Sequence, residues 1–172
     1  GKYFLKLYQH RSYVLALTGA GDVGGMYVDE DDKGMSFRNY NNLLLLGAGG
    51  HRTGKYGGGY KELSQLARLY YPNAKPVTAW ATQDCISLDK MCYIGKYSKG
   101  SNELYVASGF NKWGMTGAMC SAQIISDMLK GKVNEFEDVF NPNRSILTPQ
   151  LMVNSFESVC NLLRPTAPRC PH

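Results

Sequence analysis

Several features that would point directly to a function class are missing from this sequence. No apolar run approaches the roughly 20 residues that a membrane-spanning helix needs, so no membrane span is expected. The five cysteines include no C-x-x-C pair, which favours reduced thiols and a cytoplasmic protein. The 19 basic residues exceed the 14 acidic ones without forming a block, so the net charge of +5 suits anionic small molecules and predicts no nucleic-acid partner.

The composition that is present belongs to a globular protein. A chain of 172 residues with 44% hydrophobic and 19% charged residues can bury one good core. Twelve tyrosines offer stacking surfaces for bases, but tyrosine in strands more often forms half-buried sheet surface. A nucleic-acid binder would show a steep salt dependence of binding. The sequence starts without Met and stops inside a motif-like Cys-Pro-His, so we expect a fragment.

The most informative stretch is residues 104–130, where a strand, a glycine-framed turn and a helix follow one another. The alternating apolar residues before Gly109 predict a buried strand that ends there. A three- and four-residue period predicts a helix from Met115 to Lys130, with Gly131 as its C-cap. The expected core face of this helix consists of Ala118, Met119, Ala122, Ile125, Met128 and Leu129.

The turn between strand and helix, GFNKWG, is a candidate ligand site. Its glycines allow close approach of the backbone, and a helix start presents free N–H groups that attract negative charge. The alternative is a plain strand-to-helix connection in which Trp113 is a packing anchor.

A second glycine-rich segment contains two further candidate residues. The leucine run at residues 42–46 predicts a strand buried on both faces, and residues 47–54 then predict a functional loop that carries His51 and Arg52. The alternative is a mobile surface loop with solvated charges. The segment GAGDVG at residues 19–24 matches the dinucleotide pattern G-x-G-x-x-G, but we reject it because no helical period follows it.

The remaining segments predict scaffold. Residues 3–9 and 12–17 are expected to form an antiparallel strand pair, and residues 60–71 a helix. After a strand at residues 75–82, a turn follows in which Asp84 and Asp89 are either general bases or, more commonly, turn caps. Thr148 is the predicted N-cap and Pro149 the first residue of a helix through Leu163, whose core stripe is Met152, Phe156, Val159 and Leu163.

The segments TQDCISLDKMCYIG (residues 82–95) and LYVASGFNKWGMT (residues 104–116) resemble the C-terminal part of the FAD-dependent oxidoreductases of the D-amino-acid oxidase, glycine oxidase and sarcosine oxidase group. The form GFNKWGMT resembles a bacterial branch with a C-terminal Rieske domain. The resemblance implies that the nucleotide-binding half precedes Gly1, and that His51 and Arg52 hold an acidic substrate. It also implies that the flavin lies against Gly109, Phe110, Asn111, Lys112, Trp113, Gly114, Met115 and Thr116.

The C-P-H sequence at the end resembles half of a Rieske motif, which implies that Cys170 and His172 are ligands of a 2Fe-2S cluster in the intact protein only. The expected cofactors are thus FAD and a 2Fe-2S cluster, neither bound tightly by this fragment. The electron acceptor beyond the cluster is unknown.

We therefore predict an α+β fold with a largely antiparallel substrate-domain sheet, helices, and the last strand and helix of an FAD-binding fold. The expected segments are residues 1–103 for the substrate-domain sheet, 104–131 for the flavin strand-turn-helix, 132–163 for a helical extension, and 164–172 for a linker and truncated Rieske start. The expected function of the parent protein is FAD-dependent oxidation of a small amine or amino-acid-like substrate, with electrons passed to the Rieske cluster. The alternative is a non-catalytic scaffold module whose glycine turns are only structural.

Overall fold

The computed structural model describes residues 3–31, 34–55, 57–145, 147 and 149–163. The elements are α1 (Tyr3–Lys6), β1 (Leu7–Thr18), β2 (Met26–Val28), β3 (Ser36–Tyr40), β4 (Leu43–Arg52), α2 (Tyr60–Tyr70), β5 (Lys75–Ser87), β6 (Tyr93–Lys96), β7 (Tyr105–Ser108), α3 (Gly114–Leu129), α4 (Glu137–Phe140) and α5 (Pro149–Leu163). The predicted α+β class, with an antiparallel sheet and helices, is confirmed. Within these described ranges, no helix is both long and apolar enough to cross a membrane.

The chain forms two compact units. Gln9–Asp84 make one, which we call the sheet unit, and Gly1–Tyr8 with Cys85–His172 make the other, which we call the helical unit. The four-segment division made from the sequence stays a prediction, since compactness alone does not show what a segment does.

The sheet unit is built on five strands in the order β2-β3-β4-β1-β5. Strand β4 pairs antiparallel with β1 on one side and with β3 on the other, and α2 packs on the sheet. The buried core of this unit consists of Tyr13, Leu15, Leu17, Leu44, Leu46, Ala48, Leu63 and Ala67. Removal of these apolar side chains from water is the main driving force for the folding of the unit.

The predicted strand pair near the N-terminus is wrong. Residues 3–6 form the short helix α1, and one continuous strand then runs from Leu7 to Thr18. The sequence between the expected strands holds none of the Gly, Pro, Asn or Asp residues that a tight hairpin requires. The interruption is instead a shift of register between Arg11 and Tyr13 where β1 pairs with β4.

The loop predicted over residues 47–54 is also wrong for most of its length, because β4 continues through the glycines to Arg52. Strand β4 pairs with β1 before the glycines at Ala48 and again after them at His51 and Arg52, and Gly49, which lies at the register shift, has a φ of 67°. The leucine run is not buried on both faces as expected, since Leu44 and Leu46 are fully buried while Leu43 and Leu45 are half-buried. The rejection of GAGDVG is confirmed, because strand β2 follows it and not a helix.

The helical unit contains the antiparallel hairpin of β6 and β7, on which α3 packs. Helix α3 spans the predicted residues, and Gly131 ends it with a φ of 67°. The Gly131 N–H donates to Met128 O at 3.2 Å and the Lys132 N–H to Asp127 O at 2.9 Å, which is the hydrogen-bond pattern of a Schellman cap. The C-cap prediction is therefore confirmed.

The predicted inner face of α3 is wrong. The buried residues are Gly117, Ser121 and Ile124, whereas Met119 is 73% exposed and Leu129 is 68% exposed. Small residues lie inward because the helix approaches its neighbours closely, and the Ser121 hydroxyl donates to Gly117 O at 2.6 Å. Strand β7, expected to be buried, is mostly half-buried, and the buried strand of the hairpin is β6.

Helix α5 begins at Pro149 as predicted, but its apolar stripe is not core. Met152 is 74% and Phe156 is 72% exposed, and Val159 is exposed as well. The inward residue is Asn154, whose side-chain amide donates to Leu5 O of α1 at 3.5 Å. Thr148 and the side chain of Leu163 lie outside the described residues.

Candidate functional site

The turn between β7 and α3, residues 109–113, has an unusual backbone, and we call it the glycine turn. Gly109 has a φ of 72°, Asn111 of 51° and Lys112 of 72°, so three of its five residues are left-handed. Asparagine tolerates this region, but lysine rarely adopts it. A side chain at Gly109 would also lie only 3.1 Å from Leu7 Cδ2 and 3.2 Å from Ser87 Cβ. Glycine is therefore required at position 109 by both its torsion and its neighbours.

The side chain of Asn111 holds the glycine turn in place. Its Oδ1 accepts hydrogen bonds from the Ser87 N–H at 2.9 Å and from the Ser87 hydroxyl at 3.2 Å. Its Nδ2 donates to Gly109 O at 2.7 Å, and its backbone N–H donates to Cys85 O at 3.2 Å. The amide of Asn111 is thus used to join the turn to the end of β5, and it is not available to a ligand.

The start of α3 presents free donors next to this turn. The Gly117 N–H donates to Trp113 O and the Trp113 N–H to Phe110 O, whereas in the described part of the chain the N–H groups of Gly114, Met115 and Thr116 have no acceptor. A side-chain carbon at Gly114 would meet nothing within 4 Å. The helix start is therefore open, and three convergent donors with the helix dipole can stabilise a negatively charged edge of a ligand.

The other side chains of the turn differ in their surroundings. Phe110 packs on the helix, because a side-chain carbon at Gly117 would collide with its ring. Lys112 is exposed, Trp113 is 70% exposed and Met115 is 87% exposed. Trp113 is therefore not the buried packing anchor of the alternative interpretation. The free donors and these exposed side chains lie together at an open surface, and such a set of donors suits the negatively charged edge of a flavin.

His51 and Arg52 lie in the sheet unit, at the end of β4, and both are half-buried. His51 Nδ1 lies 2.9 Å from Arg52 O, which can only accept, so this nitrogen carries the proton. His51 Nε2 lies within hydrogen-bond distance of the Tyr13 hydroxyl, at 2.9 Å. The two contacts together fix the orientation of the imidazole ring.

Three residues that the sequence did not single out form a cluster with His51 through Tyr13. The ring of Tyr13 stacks on His51 with centroids 5.7 Å apart, and Tyr60 meets Tyr13 edge-on at 4.9 Å. The Arg11 guanidinium lies over the Tyr13 ring at 5.5 Å. Arg11 pairs with His51 across β1 and β4. Tyr13 and His51 are 38 positions apart in the sequence, and only the pairing of β1 with β4 brings them together.

Glycines shape the backbone beside this cluster. The Gly59 N–H donates to Gly49 O at 3.3 Å, and a side-chain carbon at Gly58, whose φ is 59°, would collide with the same carbonyl oxygen. Gly49 itself has a φ of 67°. The segment before α2 can therefore approach the end of β4 only because both sides lack a side chain.

The remaining candidate residues have different outcomes. Asp84 lies within β5, so its predicted place in a turn is wrong. Asp89 does cap a turn, since its Oδ1 accepts from the Met91 N–H at 3.2 Å. Cys170 and His172 lie outside the described residues. No group of three or more His, Cys, Asp and Glu side chains that could hold a metal ion occurs in the described ranges.

Comparison with known proteins supports an assignment of the fold. Residues 2–128 match the family described as FAD dependent oxidoreductase (DAO). A relative from Bacillus subtilis (strain 168), which carries the name of a Rieske 2Fe-2S iron-sulfur protein, YhfW, is 35% identical over 159 residues. That match covers 88% of this chain and 31% of the relative, so the chain spans about a third of the relative's length.

Two solved structures are similar in fold. Glycine oxidase from Geobacillus kaustophilus matches with a TM-score of 0.61 and 20% identity over 82% of this chain and 40% of its own. L-amino acid deaminase from Proteus vulgaris matches with a TM-score of 0.63 and 19% identity over 82% of this chain and 37% of its own. At these identities the likeness concerns the fold alone.

Proposed function

Since the chain belongs to the family of FAD dependent oxidoreductases, as its motifs indicated, we propose that the intact protein uses FAD to oxidise a small amine or amino-acid-like substrate. The observation that carries the proposal is the open start of α3, where the N–H groups of Gly114, Met115 and Thr116 are free beside the glycine turn. FAD, when bound, supplies the acceptor for a hydride from the substrate.

The role of the helix start is electrostatic. The three N–H groups would face the pyrimidine edge of the flavin and stabilise negative charge there, which raises the reduction potential. Lys112, exposed at the same turn, would add a positive charge. Gly109 and Asn111 keep the turn in the left-handed conformation that directs the chain into α3.

The proposed substrate site is His51 with Arg52. A guanidinium is the side chain best suited to hold a carboxylate. The imidazole of His51, whose orientation is fixed by its contacts with the Tyr13 hydroxyl and Arg52 O, would orient the substrate beside it. The names of two proteins of the same fold, a glycine oxidase and an L-amino acid deaminase, support an amino-acid-like substrate.

The electron acceptor that we propose is a Rieske 2Fe-2S cluster, and the support for it is the name of the Bacillus subtilis relative. Cys170 and His172 would supply two of its four protein ligands, one on each iron.

The test is Gly114→Val in the intact protein. Since a side chain at this position meets nothing within 4 Å, the variant should fold normally. The valine would cover the free N–H groups, and loss of one positioned donor costs roughly 3 kcal/mol in oxyanion sites, so FAD affinity should fall by about 100-fold. Flavin absorbance after gel filtration and the flavin midpoint potential are the measurements.

The matched control is Gly131→Ala at the other end of α3. It also meets nothing within 4 Å, but its φ of 67° should cost about 1 kcal/mol of stability and leave flavin content unchanged. If both variants keep wild-type flavin content and potential, the helix start does not face the cofactor. If the intact wild-type protein shows no flavin absorbance, the scaffold alternative replaces the proposal.

A further inference from the structure

Arg144, which follows α4, binds the segment that leads into β6. Its Nε and Nη2 donate to the two carboxylate oxygens of Asp89 at 2.7 and 2.8 Å. Its Nη2 also donates to Met91 O at 2.7 Å, and its Nη1 to Cys92 O at 3.0 Å. Two parallel hydrogen bonds from the planar guanidinium fix the orientation of Arg144 relative to Asp89 and also pair their charges. A lysine ammonium could pair the charge but could not fix the orientation.

The Arg144 guanidinium also lies over the ring of Tyr93, with Cζ 4.1 Å from the ring centroid. Tyr93 is fully buried, and its hydroxyl has no hydrogen-bond partner among the described residues. The ring is therefore held by packing and by the cation above it, and not by its own polar atom. We call Arg144, Asp89 and Tyr93 the arginine clamp.

The clamp reaches the glycine turn directly. Tyr93 pairs with Ser108, the last residue of β7, and its Cδ2 would lie 3.4 Å from a side-chain carbon at Gly109. The opposite flank of the turn is tied to Ser87 by Asn111. A displacement of Tyr93 would therefore be transmitted to Gly109, while the Asn111 contact would hold only the other side.

We propose that Arg144 is a positioning residue for the flavin: through Asp89 and Tyr93 it sets the position of the glycine turn and hence the direction of the free N–H groups of α3. This inference rests on the proposed function. It assigns a role in the flavin site to a segment more than thirty residues after the turn, in a part of the sequence that the motifs did not connect with a cofactor.

The experiment compares Arg144→Lys with Arg38→Lys in the intact protein. Arg38 is exposed in the sheet unit, and its Nη1 donates a long hydrogen bond to Met26 Sδ at 3.8 Å, so it is a matched control for loss of a guanidinium. Arg144→Lys keeps the charge near Tyr93 but loses the fork. FAD affinity should fall on the order of tenfold, as for outer-shell partners of other sites, and the midpoint potential of the flavin that remains should become more negative.

If Arg144 has only a structural role, Arg144→Lys will have a lower melting temperature, but its flavin midpoint potential and its affinity for FAD will equal those of the wild-type protein. That result would overturn the inference. If Arg144→Lys does not fold, Asp89→Asn removes the charge of the acceptor with little change of shape and is read in the same way. If the wild-type protein binds no FAD, the proposed function and this inference fall together. If it binds FAD and the variants match it in potential and affinity, only this inference fails.

Discussion

The side chain of Asn111 should account for most of the stability of the glycine turn. In Asn111→Ala the Ser87 N–H loses its acceptor and Gly109 O loses its donor. Each hydrogen bond is worth about 1 kcal/mol, and Ser87 is only 1% exposed, so water cannot replace the lost partner. An alanine with a φ of 51° costs roughly 1 kcal/mol more. The expected loss of unfolding free energy is about 3 kcal/mol.

The control is Asn41→Ala, in the turn between β3 and β4. Asn41 has a φ of 54°, nearly that of Asn111, but no hydrogen bond of its side chain is found among the described residues. Its replacement should therefore cost only the torsional part, about 1 kcal/mol. Urea unfolding of the flavin-free protein at 25 °C, followed by far-UV circular dichroism, measures both values. Equal losses for the two variants would refute the idea that the Asn111 amide holds the turn.

Two further outcomes are expected. Gly58→Ala should cost about 3 kcal/mol of unfolding free energy, because the new methyl group meets the Gly49 carbonyl. The control Gly54→Ala, at a left-handed position with nothing within 4 Å, should cost about 1 kcal/mol. Similar urea midpoints for the two variants would count against the contact between Gly58 and Gly49. Burial alone would raise the pKa of Asp89, but hydrogen bonds from Arg144 and Met91 and the charge of Arg144 outweigh it and hold that pKa below its ordinary value. The stabilisation is therefore present above the pKa of Asp89 in the unfolded chain, and it is lost as the pH falls through the lower pKa in the folded protein. Below about pH 4 the urea midpoint of the wild-type protein should drop more steeply than that of Asp89→Asn. If the two midpoints fall in parallel, Asp89 is not the titrating group.

Local signals in the sequence predicted the strand-turn-helix well. The glycine-framed turn, the helix predicted from Met115 to Lys130 and the left-handed cap at Gly131 depend on neighbouring residues, and all three are found, with the helix displaced by one residue at each end. The family was also predicted, from the segments TQDCISLDKMCYIG and LYVASGFNKWGMT, and it is confirmed.

Features that depend on distant partners were predicted less well. Periodicity marks the apolar face of a helix but not which face is covered, so Met119 and Met152 were expected inside and lie at the surface. The glycines of β4 favour a loop by propensity, yet pairing with β1 on both sides of Gly49 and Gly50 continues the strand to Arg52. The contact of His51 with Tyr13 follows from a register that no local pattern contains.

The contact between Gly58 and Gly49 also limits how this segment can change in evolution. At most tight contacts in proteins the residues can change during evolution, because a larger side chain on one side is compensated by a smaller side chain on the other. Here neither partner has a side chain to shorten, and the atoms that would collide with a new methyl group belong to the backbone. No substitution elsewhere in the pair can rescue a mutation at Gly58, so a lineage could change this position only by rebuilding the end of β4.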